Sequence, residues 1–355
     1  MNTLQEATAE HISRLYSPIE SSSNWSFDAF VNHRPVRYFS YGRHALYEAL
    51  RVIGCGHGDS VLLPAFICRD LLSAVNTMGA SPLYYNVDRQ MQIIESPDTL
   101  PSAKAVLAVN YFGFPQSLEP FQQYAARTGA AIIEDNAHGF LSCDNKGKAL
   151  GTRGDIGIFS IRKTLMLPDG AAMVINTSVK TGPLELQKIS KNYISVSFTI
   201  KCLLKKMAPP INLRAVRLLT SITRTIRKII TGYEILPSDR DAEYHLPGDS
   251  APCQFLSPAL AHLDAAGEIF RRRELYAAID SIMRNAGYEP VFPSLPPGVA
   301  PYAYPFYSPE NGISAARRAL KQIHLDCFLW PELPDAIRPE APERYKSIWM
   351  INFLW

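Results

Sequence analysis

Between residues 36 and 176 short apolar runs recur at 60–63, 82–86, 105–110, 130–134, 156–160 and 172–176, and the stretches between them carry apolar residues at helical spacing, as at 44–53 and 118–128. Runs of this length suit buried strands, and helix-length intervals rule out a simple chain of hairpins. The rhythm predicts an α/β fold with a largely parallel sheet flanked by helices. In such sheets ligands gather beyond the carboxyl ends of the strands, so the residues just after each apolar run carry the functional interest.

The chain has 355 residues, 47% of them hydrophobic and 19% charged, enough for one large core and a smaller second lobe. We expect an N-terminal arm at 1–35, a large domain at 36–250 and a small C-terminal α/β domain at 251–355. A net charge of +3 gives no general case for nucleic acid or another polyanion. The six cysteines form no CxxC pair and show no ligand-like spacing to histidine, so neither a metal site nor a disulfide framework is expected. The opening residues lack the apolar core of a signal peptide, and no run approaches the roughly 20 apolar residues of a membrane span. The expected compartment is the reducing cytoplasm.

Residues 198–232 differ in composition from the rest: Lys201, Lys205, Lys206, Arg214, Arg217, Arg224, Arg227 and Lys228 stand among Leu and Ile without one acidic residue. The segment reads as an insertion that Pro209 and Pro210 divide into two helical pieces. It is open to two readings, a solvated lid or interface hairpin, and a surface in peripheral contact with an anionic membrane. Residues 258–282 follow with one long helical pattern that contains the basic cluster Arg271 to Arg273.

Three segments carry candidate chemistry. The run AIIEDNAH ends in Glu134 and Asp135 before Ala137 and His138, placing a carboxylate at a strand end. Such an acid is either a turn former or the charged partner of a ligand. The run GDIGIFSIRK leads through Ser160 to Lys163 inside an apolar loop punctuated by Pro and Gly. A lysine is ordinarily a solvated surface charge, but one held among apolar groups has a lowered pKa and attacks aldehydes. Upstream, SYGRHALYEAL sets Gly42 at the start of an amphipathic helix, where unpaired N–H groups and the helix dipole favour an anion such as a phosphate ester.

In this order the three segments resemble the DegT/StrS family of sugar aminotransferases, a branch of the fold-type-I pyridoxal-phosphate enzymes. The corresponding segments are 40–44, 62–68, 135–138, 154–160, Lys163 and 169–172, and the likeness resumes more faintly at 254–273. The resemblance implies pyridoxal 5'-phosphate attached covalently at Lys163, which is also the proton shuttle, with Asp135 on the ring nitrogen, Ala137 under the ring and His138 near the phenolic oxygen. It implies Gly42, Arg43, His44 and Ser160 around the phosphate, glutamate as amino donor, a nucleotide-linked keto sugar as acceptor in polysaccharide or glycoconjugate biosynthesis, and a homodimer.

The chain departs from the family pattern at several points. Arg43 replaces the threonine of the phosphate turn. Cys68 stands where most relatives stack an aromatic ring on the cofactor, and Phe66 is the alternative stacking residue. The stretch from Ser160 to Lys163 is two residues shorter than usual. Two other functions compete with amino transfer: sugar dehydration on the same cofactor, which the family usually performs with histidine in place of the lysine, and a non-catalytic binding role for the fold.

Overall fold

The computed structural model describes residues 3–16, 25–177, 196–205, 207, 211–232 and 239–354. Helices α1 (Thr3–Leu15) and α2 (Phe27–Phe30) lead into strand β1 (Val36–Phe39) and helix α3 (Gly42–Val52). Then come β2 (Ser60–Pro64), α4 (Leu72–Thr77), β3 (Ser81–Tyr85), β4 (Ala105–Val109), α5 (Glu119–Thr128), β5 (Ala131–Asp135), β6 (Ile156–Phe159) and β7 (Ala171–Ile175). The sheet order is β1-β7-β6-β5-β4-β2-β3. Strands β3, β2, β4, β5 and β6 pair in parallel, which requires both faces to be covered and explains why β4 is buried at every position.

The expected parallel sheet has one exception. Strand β7 runs antiparallel to both β6 and β1, so β1 points the same way as the parallel set. The carboxyl ends of β1, β2, β4, β5 and β6 therefore share one edge. That edge presents Gly42 after β1 and Asp135 at the end of β5.

Helices α6 (Val196–Lys205) and α7 (Ile211–Thr231) follow, packed against each other, so the basic segment does form two helical pieces; Lys206, Pro209 and Pro210 lie outside the described residues. The expected single helix at 258–282 is two helices, α8 (Leu256–Ala261) and α9 (Ala265–Asn285). Asp264 makes the break, its side chain accepting from Gly267 N at 3.0 Å and capping the start of α9. A second, antiparallel sheet of order β8-β10-β9 comprises β8 (Ala303–Tyr307), β9 (Phe328–Leu329) and β10 (Ile348–Asn352), with α10 (Ile313–Gln322) and α11 (Glu343–Lys346) between its strands. Helix α1 packs on α9, and Tyr16 donates its hydroxyl to the Asn352 carbonyl at 2.7 Å, fastening the beginning of the chain to the second sheet.

Candidate active site

At the end of β5 strand alternation separates the two acids. Glu134 is fully buried on one face, where Arg153 Nε donates to its Oε1 at 2.8 Å and Asn110 Nδ2 at 2.9 Å, so its charge is consumed in holding loops together. Asp135 points the other way, into a cavity of about 230 Å3 at the carboxyl edge of the sheet. The Ala137 N–H donates to Asp135 Oδ1 at 2.9 Å. Burial raises the Asp135 pKa, while that N–H and the nearby Lys163 hold it down.

Lys163 enters the same cavity from the short turn after β6. Its Nζ lies 3.0 Å from His138 Nε2. The other ring nitrogen, Nδ1, accepts from Phe112 N at 3.2 Å. Burial, followed by the charge of Lys163, pushes the His138 pKa well below its ordinary value, so the ring is neutral. A neutral imidazole that accepts at Nδ1 carries its proton on Nε2 and donates toward Nζ. The amine takes that proton in its uncharged form, which the surroundings of Lys163 favour. Burial lowers the Lys163 pKa in the same direction, with Arg162 adding to the effect against the pull of Cys68 and Asp135. Phe112 reaches this position with φ 54, a left-handed backbone unusual outside glycine.

The His138 ring is itself held. Tyr302 stacks on it at a centroid distance of 4.4 Å and an interplanar angle of 9°, and Trp330 packs at 5.0 Å. Behind them Arg272, buried in α9, donates to the carbonyls of Tyr302 at 3.2 Å, Pro301 at 3.0 Å and Thr164 at 3.0 Å. Glu268 balances its charge, accepting from Arg272 Nε and Arg271 Nη2, both at 2.6 Å. These two arginines hold the Glu268 carboxyl down at about 2 despite the burial that opposes them.

The opposite end of the cavity is cationic. Helix α3 begins at Gly42 with no side chain capping its N-terminus. Ser160 is buried close by, its Cβ 3.7 Å from where a Cβ on Gly42 would stand. The guanidinium carbons of Arg43 and Arg162 lie 5.6 and 5.0 Å from the Tyr41 ring centroid. Arg43 also pairs with Asp70 at 3.5 Å. The Arg162 Nε is buried without a hydrogen-bond partner. The turn is closed by Gly170, whose N–H donates to the Ser40 carbonyl at 2.7 Å and whose carbonyl accepts from Arg162 N at 3.0 Å.

Of the residues expected from sequence, Gly42, Arg43, Cys68 and Ser160 line this cavity together with Asp135, Ala137, His138 and Lys163. His44 and Phe66 are not among its lining residues. His44 is buried in α3 with Nδ1 2.9 Å from Ser40 Oγ, and burial together with Arg43 lowers its pKa to about 4. Phe66 is fully buried against Tyr111, Trp330 and Tyr345, its carbonyl accepting from the Tyr111 hydroxyl at 2.6 Å. Sequence reasoning missed Tyr41, Tyr111 and Trp330 in the wall. Trp330 had one local signal, a Trp-Pro pair in an aromatic-rich tail; Tyr302 and Arg272 had none that spoke of a site.

An uncapped helix start beside two arginines at one end, a buried carboxylate, and a buried lysine of lowered pKa together fit an aromatic aldehyde that bears a phosphate and a basic ring nitrogen. Comparison with known proteins agrees. Residues 19–181 match the model of the DegT/DnrJ/EryC1/StrS aminotransferase family. The GDP-perosamine synthase of Escherichia coli O157:H7 is 31% identical over 156 residues, covering 41% of this chain and 43% of that protein. The UDP-N-acetyl-3-dehydro-alpha-D-glucosamine 3-aminotransferase of Acidithiobacillus ferrooxidans is 32% identical over 146 residues, 39% of each chain. The chain thus spans about two fifths of the length of the curated relatives it matches. Among solved structures, Helicobacter pylori PseC, an aminotransferase, superposes with a TM-score of 0.61 at 14% identity, covering 99% of this chain and 91% of that one. At that identity the likeness speaks for the fold alone.

Proposed function

We propose, on the premise that residues 19–181 belong to the DegT/DnrJ/EryC1/StrS aminotransferase family, that this chain is a pyridoxal-phosphate-dependent aminotransferase that passes an amino group to a keto sugar. The observation that carries the reading is Lys163 Nζ held 3.0 Å from His138 Nε2 in the cavity that also receives the Asp135 carboxylate. The cofactor, when bound, supplies an electron sink that stabilises negative charge on the carbon losing its proton.

The residues of the chain do the rest. Asp135, which accepts from the Ala137 N–H, would face the ring nitrogen and hold a proton there. The N-terminus of α3, Ser160, Arg43 and Arg162 bind the phosphate. Lys163, on a flexible stem and with its pKa lowered by burial, would hold the aldehyde and would then be the base that moves a proton at the substrate carbon. His138 aims that nitrogen, while Tyr302 and Trp330 keep water from the face of the imidazole.

The acceptor is a nucleotide-linked keto sugar and the donor glutamate. The two curated relatives named above take different nucleotides, GDP and UDP, which supports the class and leaves the base open. The enzyme works in the cytoplasm as a homodimer in polysaccharide or glycoconjugate biosynthesis. The six cysteines include no CxxC pair, which supports a reducing compartment.

The test is the absorption spectrum of protein reconstituted with pyridoxal phosphate, before and after glutamate. A band at the edge of the visible that glutamate bleaches, and that Lys163→Ala abolishes, is the expected result. A band that glutamate leaves unchanged overturns amino transfer, and no band in the wild-type protein overturns the cofactor.

A further inference from the structure

Eleven of the fifteen large apolar side chains that stand exposed among the described residues lie between 196 and 230, on α6, Met207 and α7. On α7 they are ordered. Ile211, Leu218, Ile222, Ile226 and Ile229 recur at the spacing of one helix face, and Leu219 and Ile230 widen it on one side. Leu218 is 64%, Ile229 79% and Ile230 76% exposed. An amphipathic helix ordinarily turns this face to the core. Here the opposite face is fastened inward: Arg217 donates to the carbonyls of Leu320 at 3.4 Å and Leu325 at 3.0 Å, Arg224 pairs with Asp326, and Leu213 is buried. The helix cannot roll its apolar stripe inward without breaking these bonds.

We propose that the α6–α7 face docks on an anionic lipid surface. At 100° per residue, Arg214 and Arg227 border the stripe on its two sides, and residues 198–232 contain no acidic residue. A straight apolar stripe about 30 Å long with cationic borders matches a plane of negative headgroups over apolar chains. The charge pattern also argues against a second copy as the occupant, since stripe-to-stripe pairing would bring basic borders together with no acidic partner from this segment. Attachment is along the surface: no helix among the described residues is long and apolar enough to cross a membrane. The inference is independent of the chemistry assigned to the cavity.

The test is sedimentation of the full chain with phosphatidylcholine vesicles, with and without phosphatidylglycerol. The wild-type protein is expected to pellet with the phosphatidylglycerol vesicles and to be released as salt is raised. Ile222→Glu with Ile226→Glu should lower partitioning by at least about tenfold, and neutralising Arg214 and Arg227 to Gln should lower it by roughly fivefold per charge. Should the glutamate pair depress the melting temperature, Leu218→Ser with Ile229→Ser gives the same comparison at lower cost to folding. Wild-type protein left in the supernatant, or equal binding to both vesicle types, overturns the proposal. So does a solution assembly that the glutamate pair dissociates while neither protein pellets, which would assign the face to a second copy.

Discussion

Lys163 and His138 meet at 3.0 Å with the imidazole proton directed at the amine, because Phe112 N–H occupies the other ring nitrogen. The pair therefore works only while Lys163 is uncharged. His138→Phe keeps a ring against Tyr302 but removes the donor, and the reactive form of the amine loses one hydrogen bond. The pH at which Lys163 of the cofactor-free protein reacts with an amine-specific reagent should rise by up to about one unit, the equivalent of a bond worth roughly 1 kcal/mol. An unchanged reactivity profile would show that the contact does not tune the lysine.

Asp135→Asn tests the far end of the ring. The amide keeps the size and the contact with Ala137 but loses the charge that holds a proton on the ring nitrogen. Turnover should fall roughly 10- to 100-fold, as expected for a lost charge-assisted hydrogen bond of about 1.5–3 kcal/mol. Attachment at Lys163, read from the absorption spectrum, should persist. Loss of attachment and turnover together would make Asp135 structural.

The unpartnered Nε of Arg162 gives a third expectation. Arg162→Met should weaken binding of pyridoxal phosphate by about 10- to 100-fold and leave binding of pyridoxal, which lacks the phosphate, within about twofold. Titration of both compounds by fluorescence separates the two. Equal weakening of both would place the effect in the fold of the turn.

Glu268 links stability to pH. Its folded pKa of about 2 lies below that of an ordinary carboxyl, so its contribution is complete above the unfolded pKa near 4.5 and is lost as pH falls toward 2. Glu268→Gln leaves Arg271 and Arg272 buried without a counter-charge and should cost about 3–5 kcal/mol at neutral pH. In the variant, this part of the acid-dependent loss should vanish. Denaturant melts across that pH range check both statements, and a variant as stable as the wild type at neutral pH would contradict them.

The strands around the sheet were legible because parallel strands buried on both faces must be continuous apolar runs, and 105–110 and 130–134 fall on β4 and β5 within about one residue. The reversal of β7 was not, since a buried antiparallel strand carries the same residues as a parallel one. Asp135 and Lys163 were legible by order and spacing. Glu134 beside Asp135 illustrates the limit: composition offers two acids, and only the alternation of a strand whose register is known assigns one to the cavity and the other to Arg153. The walls supplied by Tyr302 and Trp330, and the buried Arg272 behind them, rest on contacts between distant parts of the chain. In the sequence Arg272 is one member of a basic cluster, and its carbonyl partners lie far off at Thr164, Pro301 and Tyr302.

The bond from Arg272 to the Thr164 carbonyl joins positions 108 apart in sequence. On a growing polypeptide the reactive lysine is thus made well before the parts that make it reactive. The turn that carries Lys163 is therefore completed only when α9 is in place to hold it.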